Sequence, residues 1–489
     1  MAINPIKSLA GQTAVYGMGT IVPRLLNYML VPFYTRIFAE NIYGQLTELY
    51  AYVAFLLVLL TYGMETAFFR FAQKHDTKSV FNSALSAIIT TAAIFVVLLL
   101  IFYEPLAQSI RYTGNPEYVL MIGLIVALDA ATAIPFALLR KLNKARRFAT
   151  IKILNVGLNI SLNFIFLLLI PEWSQKVATT LFGDQVSLLV WVFIANLASS
   201  LLSLLLLWPQ LKSFRFQLSN TFIRPMLNYA LPVLVVGLAG MVNEVIDKIL
   251  LKYLLPNPDT AMAELGIYGA NYKLGVLMTL FIQMFRYAAE PFFFAEAEKK
   301  QAPELFAKVL NYFVIIGLLI FLGITLYMDV FQHFIGSRFR EGLSIVPIIL
   351  MANLFYGVFF NLSVWYKLTD RTSNGAIIAL IGAAITITFN ILLIPVLGYA
   401  GAAWAHLFCY SAMMVISYLW GQRVFPIPYQ WKALLVYLAL AVLMYAISQW
   451  LRPEMLLQRL LLNTFLLLLF IVPVFFFERK NLSFADKQS

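Results

Sequence analysis

The chain has 489 residues, of which 62% are hydrophobic and only 12% are charged. Soluble domains are about half apolar and about a quarter charged, so this composition excludes an ordinary soluble protein. The formal net charge is +12. In a membrane protein, excess Lys and Arg mark the cytoplasmic loops, and the sequence has no basic, aromatic-rich surface domain that would indicate a nucleic-acid partner.

Long apolar runs follow one another along the whole chain. Most are about 20 residues or longer, enough for a helix to cross about 30 Å of hydrocarbon. A β-barrel would instead need alternating segments of about ten residues. We therefore predict an all-α polytopic membrane protein with about 14 transmembrane helices. The predicted spans are 10–38, 43–69, 81–103, 117–139, 150–170, 186–208, 226–254, 264–289, 305–328, 343–366, 375–396, 400–421, 433–451 and 456–477.

The basic residues orient these spans. With both termini in the cytoplasm, 23 of the 35 Lys and Arg residues, Lys152 among them, fall on the inner side. Eight, including Lys252, fall on the outer side. This bias follows the positive-inside rule and supports an even number of spans with both termini in the cytoplasm.

The first half of the chain is repeated in the second. Residues 42–44 read Ile-Tyr-Gly and are followed by Glu65, and residues 267–269 read the same and are followed at the same offset by Glu290. Spans 1–6 and 7–12 are therefore predicted to form two six-helix lobes in parallel orientation, a layout typical of transporters. Spans 13 and 14 fall outside the repeat.

The repeat predicts four segments. The N-lobe covers 1–210, a cytoplasmic linker covers 211–225, the C-lobe covers 226–424, and the last two spans with a cytoplasmic tail cover 425–489.

Two segments resemble a known family. Residues 32–38 read Pro-Phe-Tyr-Thr-Arg-Ile-Phe and precede Tyr43-Gly44, and residues 389–395 read Phe-Asn-Ile-Leu-Leu-Ile-Pro and precede Gly398 and 401–403. Together with the span count, they resemble the Wzx-type polysaccharide flippases of the multidrug/oligosaccharidyl-lipid/polysaccharide (MOP) exporter superfamily, which also contains the MATE exporters.

The resemblance implies a fold and a cargo. It implies a V-shaped pair of lobes in the bacterial inner membrane. By alternating access, these lobes would move an undecaprenyl-pyrophosphate-linked glycan, such as an O-antigen, capsule or exopolysaccharide repeat unit, to the periplasmic leaflet. It further implies membrane lipids, glycosyltransferases and a glycan polymerase as neighbours.

Cations within the spans are candidates for binding the pyrophosphate. Arg24 is the strongest, because a guanidinium stays charged and binds phosphate oxygens in a bidentate manner. Lys248, Lys273 and Arg286 are the others. The alternative for Arg24 is a buried ion pair with Asp129.

Acids within the spans are candidates for coupling to H⁺ or Na⁺. They are Asp247, Asp129 and Glu244. Glu244 and Lys248 are four residues apart on one helix face and are expected to neutralise each other, which would leave Asp247 as the unpaired acid and the leading candidate. Lys273 is a further possible partner of Asp247.

The repeated acids Glu65 and Glu290 lie near inner helix ends. Symmetry suggests that they form matched latches at a cytoplasmic gate. The alternative is ion pairing at the helix ends, with Arg70 and Arg286 as partners.

Several motifs are missing from the sequence. It has no phosphate-binding P-loop pattern, no zinc-ligand spacing and no long outer loop for a catalytic site. We therefore expect a secondary transporter without cofactor, metal or enzymatic activity. A MATE-like multidrug exporter and a lipid II flippase are the alternatives on the same scaffold, and a membrane-bound glycan polymerase or ligase is a third.

Overall fold

The computed structural model describes residue 19, residues 21–299 and residues 301–485. Over these ranges the secondary structure is helical, with no strand. The prediction of an all-α membrane protein is therefore confirmed.

The helices follow one another with short connections. They are α1 (21–28), α2 (Leu30–Ile37), α3 (Glu40–Thr61), α4 (Met64–Phe71), α5 (Thr77–Ser109), α6 (Pro116–Lys141), α7 (Ala145–Phe164) with a π-helical turn (Ile165–Leu169), α8 (Pro171–Phe182), α9 (Leu189–Leu206), α10 (Trp208–Leu211), α11 (Asn220–Leu254), α12 (Pro258–Leu274), α13 (Val276–Glu296), α14 (Ala302–Leu326), α15 (Met328–Phe331), two 3₁₀ segments (Gln332–Phe334 and Ser337–Ile345), α16 (Val346–Leu362), α17 (Val364–Leu368), α18 (Thr372–Leu397), α19 (Tyr399–Val424), α20 (Trp431–Leu451) and α21 (Leu456–Ala485).

Many of these helices are long and apolar enough to cross a membrane. In the described ranges 12 segments meet that condition, and α12 with α13 adds a thirteenth if this pair, bent by 44°, is one span. The predicted span 10–38 begins outside the described residues. The count of fourteen therefore stays a prediction.

Contacts divide the chain into two compact units. The first contains the described residues up to Gly269 together with Asn390–Tyr399, and the second contains Ala270–Phe389 and the chain from Ala400 onward. Helix α11 and most of α12 thus belong to the first unit. The four segments predicted from the repeat, which place this helix in a C-lobe, stay a prediction.

The first unit is organised around α6. This helix packs against α3, α5 and α9, and α7 packs against α9. Its apolar core includes Met64, Phe68, Leu85, Ile134 and Met226, all fully buried. Burial of side chains this large contributes about 1.5–3 kcal/mol each in water, but in hydrocarbon the close fit of the helices provides the attraction instead.

Helices α3 and α12 cross in close backbone contact. A Cβ on Gly44 would lie 1.9 Å from the Met262 carbonyl oxygen, and a Cβ on Gly266 would lie 1.9 Å from the Glu40 carbonyl oxygen. Real Cβ atoms do not approach other atoms so closely, so this crossing requires glycine on both helices.

The second unit is built around α14, which packs against α16 and α20. Its last helix is fixed by polar contacts. Arg459 Nη1 lies 2.8 Å from Asp329 Oδ1, and the Asn463 amide donates to the Leu326 carbonyl oxygen at 2.5 Å. The single cysteine, Cys409, is fully buried, and its thiol donates to the Gly382 carbonyl oxygen at 3.4 Å.

The glycine crossing predicts the effect of one added methyl group. Gly44→Ala should lower the thermal stability of the purified protein, because overpacking of this kind costs about 1–3 kcal/mol. Gly240→Ala is the matched control, since a Cβ there meets no atom within 4 Å. Both changes add one methyl group within a long helix. Equal melting temperatures for the two variants would contradict the close crossing.

Candidate functional site

Arg24 lies in α1 and its side chain is exposed. No carboxylate of the described ranges lies within ion-pair distance of its guanidinium. Asp129, the partner considered from sequence, instead accepts a hydrogen bond from the Ser200 hydroxyl at 2.7 Å. The charged group that acts on Asp129 is Lys152. The described part of the structure thus does not contain the Arg24–Asp129 ion pair.

The sequence analysis counts Lys152 among the inner basic residues, at the start of the predicted span 150–170, and in the structure its helix begins five residues before that span. The turn at Asn143, which has a φ of +54°, ends before α7 begins at Ala145. Lys152 therefore falls two turns inside a membrane-spanning helix, where it is half-buried. Asn adopts this left-handed conformation more readily than most residues, so the Asn143 turn was the signal available in the sequence.

Lys152 belongs to a cluster of five charged side chains. Arg24, Asp129, Arg140 and Glu65 all act on it electrostatically. Glu65 and Arg140 form an ion pair of their own, joining α4 to the last turn of α6. The cluster is therefore drawn from α1, α4, α6 and α7, all in the first unit.

Asp247 in α11 is fully buried and is not the unpaired acid that the sequence predicted. The Lys248 ammonium lies 3.2 Å from its Oδ1 atom, and the Tyr268 hydroxyl donates to its Oδ2 atom. Lys248 also donates to the main-chain oxygen of Glu244 at 3.0 Å. The Glu244 side chain is exposed.

The second buried pair in this unit joins α3 to α11 and was missed from sequence. The Lys252 ammonium lies 3.1 Å from Glu48 Oε2, and it donates to the Ile110 carbonyl oxygen at 2.5 Å. The Tyr112 hydroxyl donates to the same Glu48 oxygen at 2.7 Å. Burial raises the pKa of the Tyr112 phenol well above its ordinary value and the Glu48 carboxylate raises it further, so the phenol stays protonated as a donor.

Glu290 repeats the arrangement of Glu65 in the second unit. Its Oε1 atom lies 2.8 Å from the Lys367 ammonium, and its Oε2 atom lies 3.9 Å from Arg286 Nε. Both cations lie over the Phe360 ring, at 4.5 Å and 4.3 Å from its centroid. Each repeated glutamate is thus paired within its own unit, and a gating role stays a prediction.

The remaining basic candidates are placed differently. Arg70, the expected partner of Glu65, lies 4.3 Å over the Tyr229 ring. Lys273 is half-buried in the last turn of α12, and its predicted pairing with Asp247 stays a prediction. Over the described ranges, no three His, Cys, Asp or Glu side chains are grouped to hold a metal ion.

Two apolar cavities lie in the second unit next to the last helices. A cavity of about 580 Å³ is lined by residues of α20 and α21, among them Val436, Leu440, Pro473 and Phe477. A cavity of about 360 Å³ is lined by residues of α14, α16, α19 and α20. Both include Trp431 in their walls.

These features define a class of protein: a polytopic membrane transporter, all-helical, with charged side chains buried between its spans. The family model described as "Polysaccharide biosynthesis protein" matches residues 9–296, more than half of the chain, and the chain belongs to this family. The resemblance to the Wzx-type family of the MOP superfamily is thereby confirmed.

Solved structures of MOP-superfamily transporters share the fold. A lipid II flippase, MurJ, in an inward closed conformation is 14% identical, with a TM-score of 0.65 over 94% of this chain and 98% of that chain. An inward-facing multidrug resistance MATE transporter is 14% identical, with a TM-score of 0.59 over 84% of this chain and 97% of that chain. An outward-facing MATE transporter is 15% identical, with a TM-score of 0.56 over 86% and 96%. No curated protein matches the sequence.

The buried pair of Glu48 and Lys252 predicts a large stability effect. Lys252→Met should destabilise the protein by about 3–5 kcal/mol, because it leaves the Glu48 carboxylate buried without a counter-charge. Thermal melting of the purified variant measures this. The double variant Glu48→Gln/Lys252→Met should recover much of the loss, and a single variant as stable as the wild type would refute the role of the pair.

Proposed function

We propose that this protein is a flippase that moves a polyprenyl-diphosphate-linked oligosaccharide from the cytoplasmic to the periplasmic leaflet of the bacterial inner membrane by alternating access. Membership of the polysaccharide biosynthesis family supports a glycan cargo, and the likeness to a structure titled as a lipid II flippase supports a lipid-linked one. The single observation that carries the proposal is the exposed guanidinium of Arg24 in the predicted first span.

A guanidinium at membrane depth needs a polar environment. A charged side chain facing lipid costs several kcal/mol, so such residues almost always face the protein interior or a water-filled cavity. Arg24 acts electrostatically on Lys152 of α7, which supports a position that faces the neighbouring helices of the first unit. A diphosphate passing through such a cavity would meet a planar fork that binds its oxygens in a bidentate manner.

The cargo's long apolar tail needs a second site. The cavity between α20 and α21 is lined mostly by apolar side chains, including Leu440, Val474 and Phe477, and carries Lys432 among its lining residues. The two helices outside the repeat would provide an apolar protein surface. The polyprenyl chain would contact this surface while the head group crosses the membrane.

The orientation proposed from the basic residues places both termini in the cytoplasm. The cytoplasmic side then holds α4, with Glu65 in its first turn, and the last turn of α6, with Arg140. We propose these as parts of a cytoplasmic gate, together with Glu290.

A lipid II flippase is the second candidate. The lipid II flippase structure covers 94% of this chain, against 84% for the inward-facing MATE exporter. The difference favours a lipid-linked cargo over a soluble drug. Cationic drugs are also disfavoured by a cluster that contains Arg24, Lys152 and Arg140, because like charges repel.

The experiment deletes the gene and follows the lipid-linked glycan. Without the protein, the glycan should accumulate on the cytoplasmic leaflet, and the wild-type gene should restore surface glycan. Normal surface glycan in the deleted strain would refute the proposal. Loss of peptidoglycan synthesis with normal surface glycan would favour lipid II as the cargo.

Complementation with Arg24 variants tests the phosphate contact. Arg24→Lys should restore less transport than the wild type, since an ammonium keeps the charge but loses the bidentate geometry. Arg36→Lys is the control, because Arg36 is an exposed arginine whose guanidinium donates to a main-chain oxygen of its own helix, that of Pro32. Equal activity of Arg24→Lys and the wild type would remove the bidentate contact from the mechanism.

We further propose that transport is coupled to H⁺ or Na⁺ through Asp247, with Asp129 and Glu244 as further acids. Asp247 is held by Lys248 and Tyr268, so binding of a cation there would require those contacts to rearrange. Asp247→Asn should weaken the dependence of glycan transport on the ion gradient, measured in vesicles with and without the gradient. Full retention of that dependence would exclude Asp247 as the coupling residue.

A further inference from the structure

We propose that the ion pair of Glu48 and Lys252 is a reversible latch, which holds α3 against α11 and α12 and releases them when the transport path opens to the periplasm. This inference rests on the proposed function, because it names a contact that alternating access must break. The observation behind it is a buried ion pair between α3 and α11, on a helix that also carries the glycine crossing with α12.

The latch lies where the ends of three helices meet. Glu48 is near the start of α3 and Lys252 is near the end of α11. The Ile110 carbonyl oxygen, directly after the end of α5, accepts a hydrogen bond from the Lys252 ammonium at 2.5 Å. The Glu48 side chain is fully buried and the Lys252 side chain is 6% exposed. Both charges are therefore shielded from solvent in this conformation, at the end that the basic residues predict to be periplasmic.

The sequence repeat assigns the joined helices to different lobes. Helix α3 falls in the predicted span 43–69 of the N-lobe, whereas α11 and α12 fall in the predicted spans 226–254 and 264–289 of the C-lobe. In the structure α3 packs against α11 so extensively that α11 and most of α12 belong to the first compact unit. Alternating access moves one repeat against the other, so a contact of this kind has to form and break in each cycle.

An ion pair suits a contact that must open again. When two charges are buried, the cost of removing them from water offsets most of their attraction, and apolar side chains of similar volume often stabilise the buried state as well or better. When the helices separate, water hydrates both charges. The closed and open states therefore lie closer in free energy than they would with an apolar contact, and the latch can release.

The glycine crossing offers little resistance to separation. A Cβ on Gly44 or on Gly266 would overlap a main-chain carbonyl of the facing helix, so the two backbones meet there without side chains between them. No side chains interlock at these points, and the helices can part without repacking. Thr47 lies next to the crossing and faces α12, because a Cβ on Gly269 would lie 2.5 Å from its Oγ1 atom.

The outer half of α11 can move while its inner half stays in place. The inner half packs against α4. Pro232 lies inside α11, and a proline in a helix removes one main-chain hydrogen bond and favours a bend. Beyond it, a Cβ on Gly240 would meet no atom within 4 Å. Asp247 of α11 accepts a hydrogen bond from the Tyr268 hydroxyl of α12, so a bend between Pro232 and Asp247 would carry α12 along with the end of α11.

The reaction of a cysteine beside the latch with a maleimide tests this. Thr47→Cys places a thiol of similar size against α12, and the native Cys409 is fully buried. In right-side-out membrane vesicles that contain the full-length protein, a membrane-impermeant maleimide should label this reporter variant slowly. Adding Lys252→Met should raise the labelling rate at least about tenfold at a temperature where the variant is folded, because only the closed state then buries an unpaired carboxylate.

Two further variants make this result specific. Arg459→Met is the matched control, since it breaks the ion pair with Asp329 in the second unit and should leave the labelling rate of the reporter unchanged. Glu48→Gln replaces Lys252→Met if that variant folds poorly, because it keeps the shape of the side chain and leaves the lysine buried without a counter-charge. An unchanged labelling rate in the folded latch variant overturns the inference.

The double variant Glu48→Gln/Lys252→Met separates a latch from a pair that only stabilises the fold. It removes both charges, so the open state no longer gains their hydration. A latch therefore predicts labelling no faster than in the reporter alone, together with reduced surface glycan in complementation. Labelling as fast as in the single variant would show that side-chain packing holds the helices, and wild-type surface glycan would show that release of the pair is not needed. Either result overturns the inference.

The outcomes also separate the latch from the proposed function. Labelling reports the separation of α3 from α12 and needs no cargo. If deletion of the gene leaves surface glycan normal, the glycan cargo fails while the labelling result still decides the latch. If deletion abolishes surface glycan and Lys252→Met leaves labelling unchanged, the latch is overturned while the proposed function stands.

Discussion

The exclusion of charge from hydrocarbon is the constraint on which this structure depends. An ionised side chain buried without compensation costs several kcal/mol, and the first unit meets that cost with pairs formed between or along its own helices. Buried Glu48 and Lys252 join α3 to α11, and buried Asp247 pairs with Lys248 on α11 and accepts a hydrogen bond from the Tyr268 hydroxyl of α12. Glu65 and Arg140, both partly exposed, join α4 to α6. These pairs also hold the helices in register, because lipid offers no hydrophobic force to do so.

The same constraint singles out the site. Where an acid has a direct cationic partner, the ion pair stabilises the packing of the helices. Arg24 makes no ion pair within the described ranges, so its positive charge is not compensated there. A protein that carries an anionic head group through a membrane needs positive charge that is not neutralised by its own acids. A fully neutral interior would not bind the phosphates. Family membership and charge placement thus support the same proposal from independent observations.

The fold could largely be read from the sequence, and the site only in part. Apolar runs longer than about 18 residues leave few alternatives to a membrane-spanning helix, and most predicted spans correspond to helices. The positions of charged residues near helix ends were harder to predict from the sequence. A shift of one or two turns in a helix boundary moves a side chain from a loop into the membrane. Lys152 is an example, because its helix begins at Ala145 whereas the predicted span begins at residue 150. The pairing of Asp247 with Tyr268 joins different helices, and hydropathy along the chain carries no information on such contacts.

The burial of the one cysteine gives this transporter a practical advantage. The Cys409 thiol is inaccessible and engaged with a carbonyl oxygen, so a thiol introduced at an exposed position would be the preferred target of a maleimide or a nitroxide reagent. Pairs of such labels could report distances by electron paramagnetic resonance in the otherwise native protein. Conformational changes during a transport cycle could then be followed without first building a cysteine-free background.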